Sequence, residues 1–341
     1  TTEIYTLSLH DALPILISEL AREMVIGFQG DDLSRPENIA ACAKHFVGYG
    51  ASESGRDYNT TNIPMNELFN VHLRPFRAAI AAGVASVMTS FSDFDGVPVS
   101  ANRVLLQDIL RDTLEFEGMI VSDWESVSQL RVHGLTDSDK ESAYEAAAAG
   151  VDMEMTSRTY QDHLQTLIEE KRLSLEQLDR MVANVLTIKA RLGLFERPFA
   201  SLDQVAPPQP ADFLRLACEA AVKSFVLLRN REKTLPIDVT RIKSLAVVGP
   251  MADEPYEQLG TWVFDGDPAR SRTPLRALRE RLDGSIEIGY ARGLETTRST
   301  GRDGFAEAVR LADRSDMVIL FLGEESILTG EAHCRASIRL P

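Results

Sequence analysis

Short apolar, β-rich runs alternate with segments of helical period along the chain, and this alternation constrains the fold more than any other feature. "ACAKHFVGYG", "VASVMTSF", "GMIVSDW" and "GVDMEM" are the runs. Before the first, Ile17, Leu20, Met24, Val25 and Phe28 make one helical face; helical segments around 66–82 and 104–113 separate the next runs, and an alanine-rich helix from Lys140 and two more helices follow. The last of these is well punctuated. Ser174 and Gln177 fit a capping box, Leu178, Met181, Val185 and Leu192 line one face, and Gly193 stops it. Repeated βα units imply parallel strands with crossover helices, in a doubly wound sheet or a barrel, and sequence period does not choose between the two.

At 341 residues the chain is long enough for two domains with ample apolar content to bury. Residues 201–213, "SLDQVAPPQPADF", hold three prolines and little apolar period, which reads as a linker between a unit at 16–200 and a second at 214–341. The second unit carries a helix to about Ser224, the apolar runs "FVLLRN", "SLAVVGP", "SIEIGYA" and "MVILFLGEE", and "GFAEAVRLADRS" as a helix, so it is expected to be a second α/β layer structure, cut short. Residues 1–15 show neither period, resemble the translation of a sequencing adapter, and are expected to lie outside the native fold.

Fifty-one acidic against thirty-six basic residues give a net charge of −15, which disfavours phosphate backbones and anionic lipid as partners. No apolar run approaches the roughly 20 residues that cross a bilayer. Cys42, Cys218 and Cys334 are far apart and form no metal-ligand cluster or disulfide framework, and no phosphate-cradling glycine loop is present, so no metal or cofactor is expected. Localisation stays open.

In parallel α/β folds the carboxyl ends of the strands carry the site. Those ends hold Lys44 with His45, Ser90 with Phe91, Asp123 with Trp124, and Glu154. Asp123 suits a helix N-cap or a nucleophile toward a sugar's anomeric carbon. Trp124 suits packing or a wall for a pyranose ring. Lys44 and His45 suit an ion pair and a satisfied histidine, hydrogen bonds to substrate hydroxyls, or, through Lys44, a Schiff base of the aldolase type.

The stretch from "AKHFVGYGASESGRDYN" through "GMIVSDW" resembles the catalytic barrel of glycoside hydrolase family 3, in its bacterial β-glucosidase branch. The likeness continues through "GLFERPF", "EAAVKSFVLLRNREKTLPI" and "SLAVVGPMAD" to "GEESILTGEAHCRASIRLP". It implies the C-terminal part of a (β/α)8 TIM-like barrel followed by an incomplete α/β sandwich domain. It also implies a retaining, exo-acting enzyme that hydrolyses terminal nonreducing β-D-glucosyl residues of oligosaccharides or β-glucosides. By the same resemblance Asp123 is the nucleophile, Lys44 and His45 bind sugar hydroxyls, Trp124 is a stacking wall, and Met88 and Phe91 complete the sugar-facing set. Glu331 in "TGEAHCR" is the acid/base, with Glu324 and Glu325 as fallbacks.

Retaining hydrolysis requires the two carboxyls roughly 5 to 5.5 Å apart, one ionised and one protonated. A second branch of the family works through a histidine–aspartate dyad, but "GYGASESGRDYN" lacks its Asp-Ser-His run. Some relatives carry a tyrosine where this chain has Phe91, which cannot donate a hydrogen bond. The family's barrel begins earlier than this chain, and a half barrel leaves strand edges open, so little activity is expected of the 341 residues alone. A Schiff-base aldolase and a noncatalytic glycan-binding protein are the other readings.

Overall fold

The computed structural model describes residues 3–5, 14–199, 211–282 and 284–341, which divide into two compact units, Thr1–Val205 and Ala206–Pro341. In the first, α1 (Pro14–Gln29) precedes β2 (Cys42–Phe46), and β1 (Glu3–Tyr5) lies ahead of both. A short helix, α2 (Met65–Glu67), runs through a π-helical turn, Leu68–His72, into α3 (Leu73–Ala81) and then β3 (Ser86–Thr89). A small hairpin, β4 (Asp93–Phe94) and β5 (Val97–Pro98), leads to the π-helical segment Val104–Thr113 and to β6 (Met119–Trp124). The unit closes with α4 (Asp139–Ala149), β7 (Met153–Met155), α5 (Thr159–Glu169) and α6 (Leu175–Arg191), the last carrying the expected Ser174–Gln177 capping box.

The large sheet is parallel, in the order β1-β2-β3-β6-β7. Strands lie side by side in chain order, with no reversal. That is how the wall of a (β/α)8 barrel is wound, and it settles the choice that period left open. Ala43, Val87 and Ile120 turn to the helix layer and join its core, where Phe46 meets Phe76 edge to face at 5.1 Å. Cys42, Met88 and Val121 form a separate cluster on the opposite face. Fully burying side chains such as Phe46, Phe76, Leu106 and Ile120 contributes about 1.5 to 3 kcal/mol each.

Two polar side chains lock the sheet from beneath. Gln29, at the end of α1, accepts from the amides of Ala41 and Ala85 and donates to the carbonyl of Gly83, joining the starts of β2 and β3. Asp152 accepts from Arg111 at 2.9 Å, from the Ile120 amide at 2.7 Å and from Asn184 at 2.9 Å. Arg111 also donates to the carbonyls of Phe116 and Gly118 at the entry to β6. Burial pushes the Asp152 carboxyl up, and these partners offset part of that. Gly118 is required here: a Cβ would lie 2.3 Å from the Ala85 carbonyl oxygen.

The second unit holds α7 (Ala211–Ser224), β8 (Ser244–Val248), α8 (Pro274–Leu282), β9 (Glu287–Ala291), α9 (Phe305–Asp313) and β10 (Met317–Leu320). Its parallel sheet has the order β10-β8-β9, so the chain reverses direction across β8. Leu245 and Val247 of β8 pack with α8 through Leu275, whereas Ala246 and Val248 pack with Leu311 of α9. Alternate residues of one strand thus face two helix layers, which is an α/β sandwich.

The structure adds three particulars. Glu3–Tyr5 of the opening segment pairs with Cys42–Lys44, and Pro14 and Ile15 already belong to α1; backbone ladders need no side-chain period. The expected linker lies outside the described residues at 201–210, but 211–213 form the first turn of α7. "FVLLRN" forms no strand among the described residues, and Phe225 to Leu228 are exposed.

Candidate active site

Lys44, Met88 and Asp123 fall on one face of the sheet, in phase with Cys42 and Val121, at the carboxyl ends of neighbouring strands. The ladder shifts register between Ala43 and Phe46, where the Lys44–His45 peptide bond is cis, and again between Val121 and Trp124. These irregularities fall where the side chains of interest emerge.

Asp123 is buried, with 6% of its surface exposed. Its Oδ1 accepts from the Trp124 amide at 2.7 Å, and its Oδ2 lies 3.3 Å from His45 Nε2. The residues after it form a turn, closed by the Ser126 amide on the Asp123 carbonyl at 3.1 Å, so Asp123 caps no helix. The capping role belongs to Glu154, which accepts from the Thr159 amide and hydroxyl, the Tyr160 amide and the Ser157 hydroxyl at the start of α5. Glu154 therefore organises the helix after β7.

The other expected residues separate by exposure. Trp124 stands 58% exposed next to Asp123, and Lys44 is 8% exposed. Met88, 4% exposed, clusters with Cys42 and Val121 on the face that also carries Lys44 and Asp123. Phe91 is also largely covered, because Tyr58 meets it edge to face at 4.9 Å and Tyr49 lies 6.3 Å from it. Tyr49 in turn meets His45 edge to face at 5.2 Å. Sequence reading missed both tyrosines, although "GYGASESGRDYN" displays them in the loop after β2. An aromatic wall next to a carboxylate suits the apolar face of a sugar ring.

In the second unit Glu331 occupies the tip of a turn, Gly330 to His333, closed by the His333 amide on the Gly330 carbonyl at 3.0 Å. Gly330 has φ 114°, and a Cβ there would lie 3.0 Å from Thr261. The fallback carboxylates anchor this loop. Glu324 pairs with Arg335, and Glu325 accepts from Thr297 at 2.8 Å and Arg298 at 3.0 Å. Burial alone would raise the Glu325 carboxyl, but the Arg298 guanidinium and Thr297 hydroxyl outweigh it and hold it below the usual glutamate range. A carboxyl kept ionised is a poor proton donor.

Comparison with known proteins fits this geometry. Residues 10–188 match the glycosyl hydrolase family 3 N terminal domain and residues 225–341 the C-terminal domain of the same family. Over 96% of its length the chain is 31% identical to a periplasmic beta-glucosidase of Salmonella typhimurium, and over 96% it is 35% identical to a beta-xylosidase of Formosa agariphila. It spans about half of these relatives, 46% and 47% of their lengths. The crystal structure of a beta-glucosidase from Listeria innocua in complex with glucose superposes with a TM-score of 0.89 and 38% identity, covering 96% of this chain and 45% of that one.

Proposed function

Because the chain belongs to glycosyl hydrolase family 3, we propose that it carries the machinery of a retaining, exo-acting β-glycosidase acting on terminal nonreducing β-D-glucosyl residues, with Asp123 as nucleophile and Glu331 as acid/base. The observation that carries this reading is the Asp123 carboxylate, buried at the end of β6 with Oδ2 beside His45 and Trp124 exposed next to it. Family membership displaces the aldolase reading of Lys44.

An Asp123 oxygen attacks the anomeric carbon and forms an acyl-glycosyl bond as the glycosidic C–O bond breaks; Glu331 gives its proton to the departing oxygen. Water then attacks the same carbon, loses its proton to Glu331, and the bond to Asp123 breaks. Two inversions give retention. Lys44 and His45 donate hydrogen bonds to sugar hydroxyls. His45 Nε2 lies 3.3 Å from one Asp123 oxygen, and Trp124 bounds the ring.

A removable nucleophile tests this. In Asp123→Gly, made in the longest product of the reading frame, turnover of an aryl β-glucoside collapses, and added azide restores release of the phenol with α-glucosyl azide as product. Glu331→Ala with azide gives the β-glucosyl azide instead. A noncatalytic glycan binder would show neither product. The beta-xylosidase among the relatives supports a second reading of the sugar, xylose for glucose, which the ratio of rates on aryl β-glucoside and aryl β-xyloside decides.

A further inference from the structure

Three buried hydroxyls connect the end of β3 to the turn that follows Asp123. Thr89 Oγ1 lies 2.7 Å from Ser100 Oγ, and Ser100 Oγ lies 2.9 Å from Ser126 Oγ. The three residues are exposed by 0%, 1% and 5% respectively. They come from separate segments: the last residue of β3, the short turn Val99–Ala101 after β5, and the turn after β6. Ser126 closes the connection by donating its amide to the Asp123 carbonyl at 3.1 Å.

A buried hydroxyl left without a partner costs about 1 to 3 kcal/mol, so apolar residues would fill this space at less risk. What hydroxyls add is direction. Ser100 bonds a hydroxyl on each side, which fixes the spacing of the three oxygens to hydrogen-bond length in a way that packing of methyl groups does not. The neighbouring strand ends are tied in the same manner. The Ser90 amide donates to the Phe46 carbonyl at 2.6 Å, Ser90 Oγ meets Ser92 Oγ at 2.6 Å, and Ser122 Oγ accepts from the Met155 amide at 2.8 Å.

We infer that the Thr89–Ser100–Ser126 relay is a positioning device that fixes the turn after Asp123, and through it the Asp123 carboxylate, relative to the end of β3. None of the three touches the reacting atoms. The inference rests on the reading of Asp123 as nucleophile, where a displacement of about 1 Å costs on the order of 100-fold in rate.

Thr89 offers a test in which hydroxyl and shape can be exchanged independently. Thr89→Val keeps the branched shape and removes the hydroxyl; Thr89→Ser keeps the hydroxyl and removes the methyl. The first readout is amide hydrogen exchange at Ser126 in the 341-residue chain, with the α6 amides as reference. The second is the rate of covalent labelling by a 2-deoxy-2-fluoro-β-glucoside with a good leaving group, on the longest product of the reading frame. The relay predicts that Thr89→Val speeds Ser126 exchange and slows labelling, each about tenfold or more, at unchanged α6 exchange, while Thr89→Ser stays within about threefold of the parent. The reverse order, with Val near the parent and Ser impaired, would show a packing role and overturn the relay. So would equal behaviour of the two variants. Labelling of the parent on a carboxylate other than Asp123 would remove the nucleophile reading itself, and the exchange measurement would still decide whether the hydroxyls hold the turn.

Discussion

Asp123 is the penultimate residue of a strand hydrogen-bonded to a neighbour on each side, and the turn after it is tied by buried hydroxyls; Glu331 rides the tip of a turn held by two carboxylate–arginine contacts. Arg298 is half exposed and Glu325 is mostly covered, whereas Asp152 beneath β6 is almost fully enclosed with Arg111. The difference matches the roles proposed for the two carboxyls. A nucleophile must meet one carbon at one angle, and a rigid strand end provides that. A proton donor follows leaving groups of varied size and tolerates a loop. Each half of this contrast can be attacked separately.

The largest effect is on chemistry. Glu331→Gln keeps size and loses the proton; hydrolysis of a disaccharide is expected to fall about 100- to 10,000-fold, with much less loss for an aryl glycoside whose phenolate needs no protonation. Steady-state rates on the two substrate types give the ratio. Equal losses on both would assign Glu331 a structural role.

The largest effect on stability belongs to the first unit. Asp152→Ala leaves Arg111 buried without its partner and is expected to destabilise that unit by about 3 to 5 kcal/mol in urea unfolding. Arg298→Ala in the second unit should cost no more than about 1 kcal/mol, because its guanidinium is half exposed. Comparable losses from both would erase the contrast.

The smallest effect is a pH dependence confined to the loop. The Glu325 carboxyl is held below its usual range when folded, so its contribution is complete above the ordinary glutamate value and is lost as pH falls through the lowered one. Amide exchange around Glu331 should therefore rise below about pH 4, where unperturbed glutamates titrate, while β6 stays protected. Arg298→Ala should bring the same change to higher pH. Exchange that rises together in both regions would point to global unfolding.

Much of this was legible in the chain. Period 3.6 and short apolar runs located the helices and four strands of the first unit, and Ser174 with Gln177 marked a cap, because these are local signals. Winding was not legible: the order β1-β2-β3-β6-β7 depends on which strand meets which. The site divided along the same line. Lys44, His45, Asp123 and Trp124 stand at strand ends, where parallel folds expose side chains. Met88 falls on the same face and packs with Cys42 and Val121, a contact across strands that spacing does not show. Asp152 with Arg111, 41 positions apart, and Ser100 with Ser126, 26 apart, left no trace in spacing.

The central claim is that Asp123 forms the bond to sugar. The most direct measurement is peptide mass spectrometry of the longest product of the reading frame after incubation with a 2-deoxy-2-fluoro-β-glucoside. The account predicts one added fluoroglucosyl group on the peptide that contains Asp123, lost on incubation with an acceptor alcohol as activity returns. A stable label on another carboxylate, with Asp123 unmodified, would contradict it.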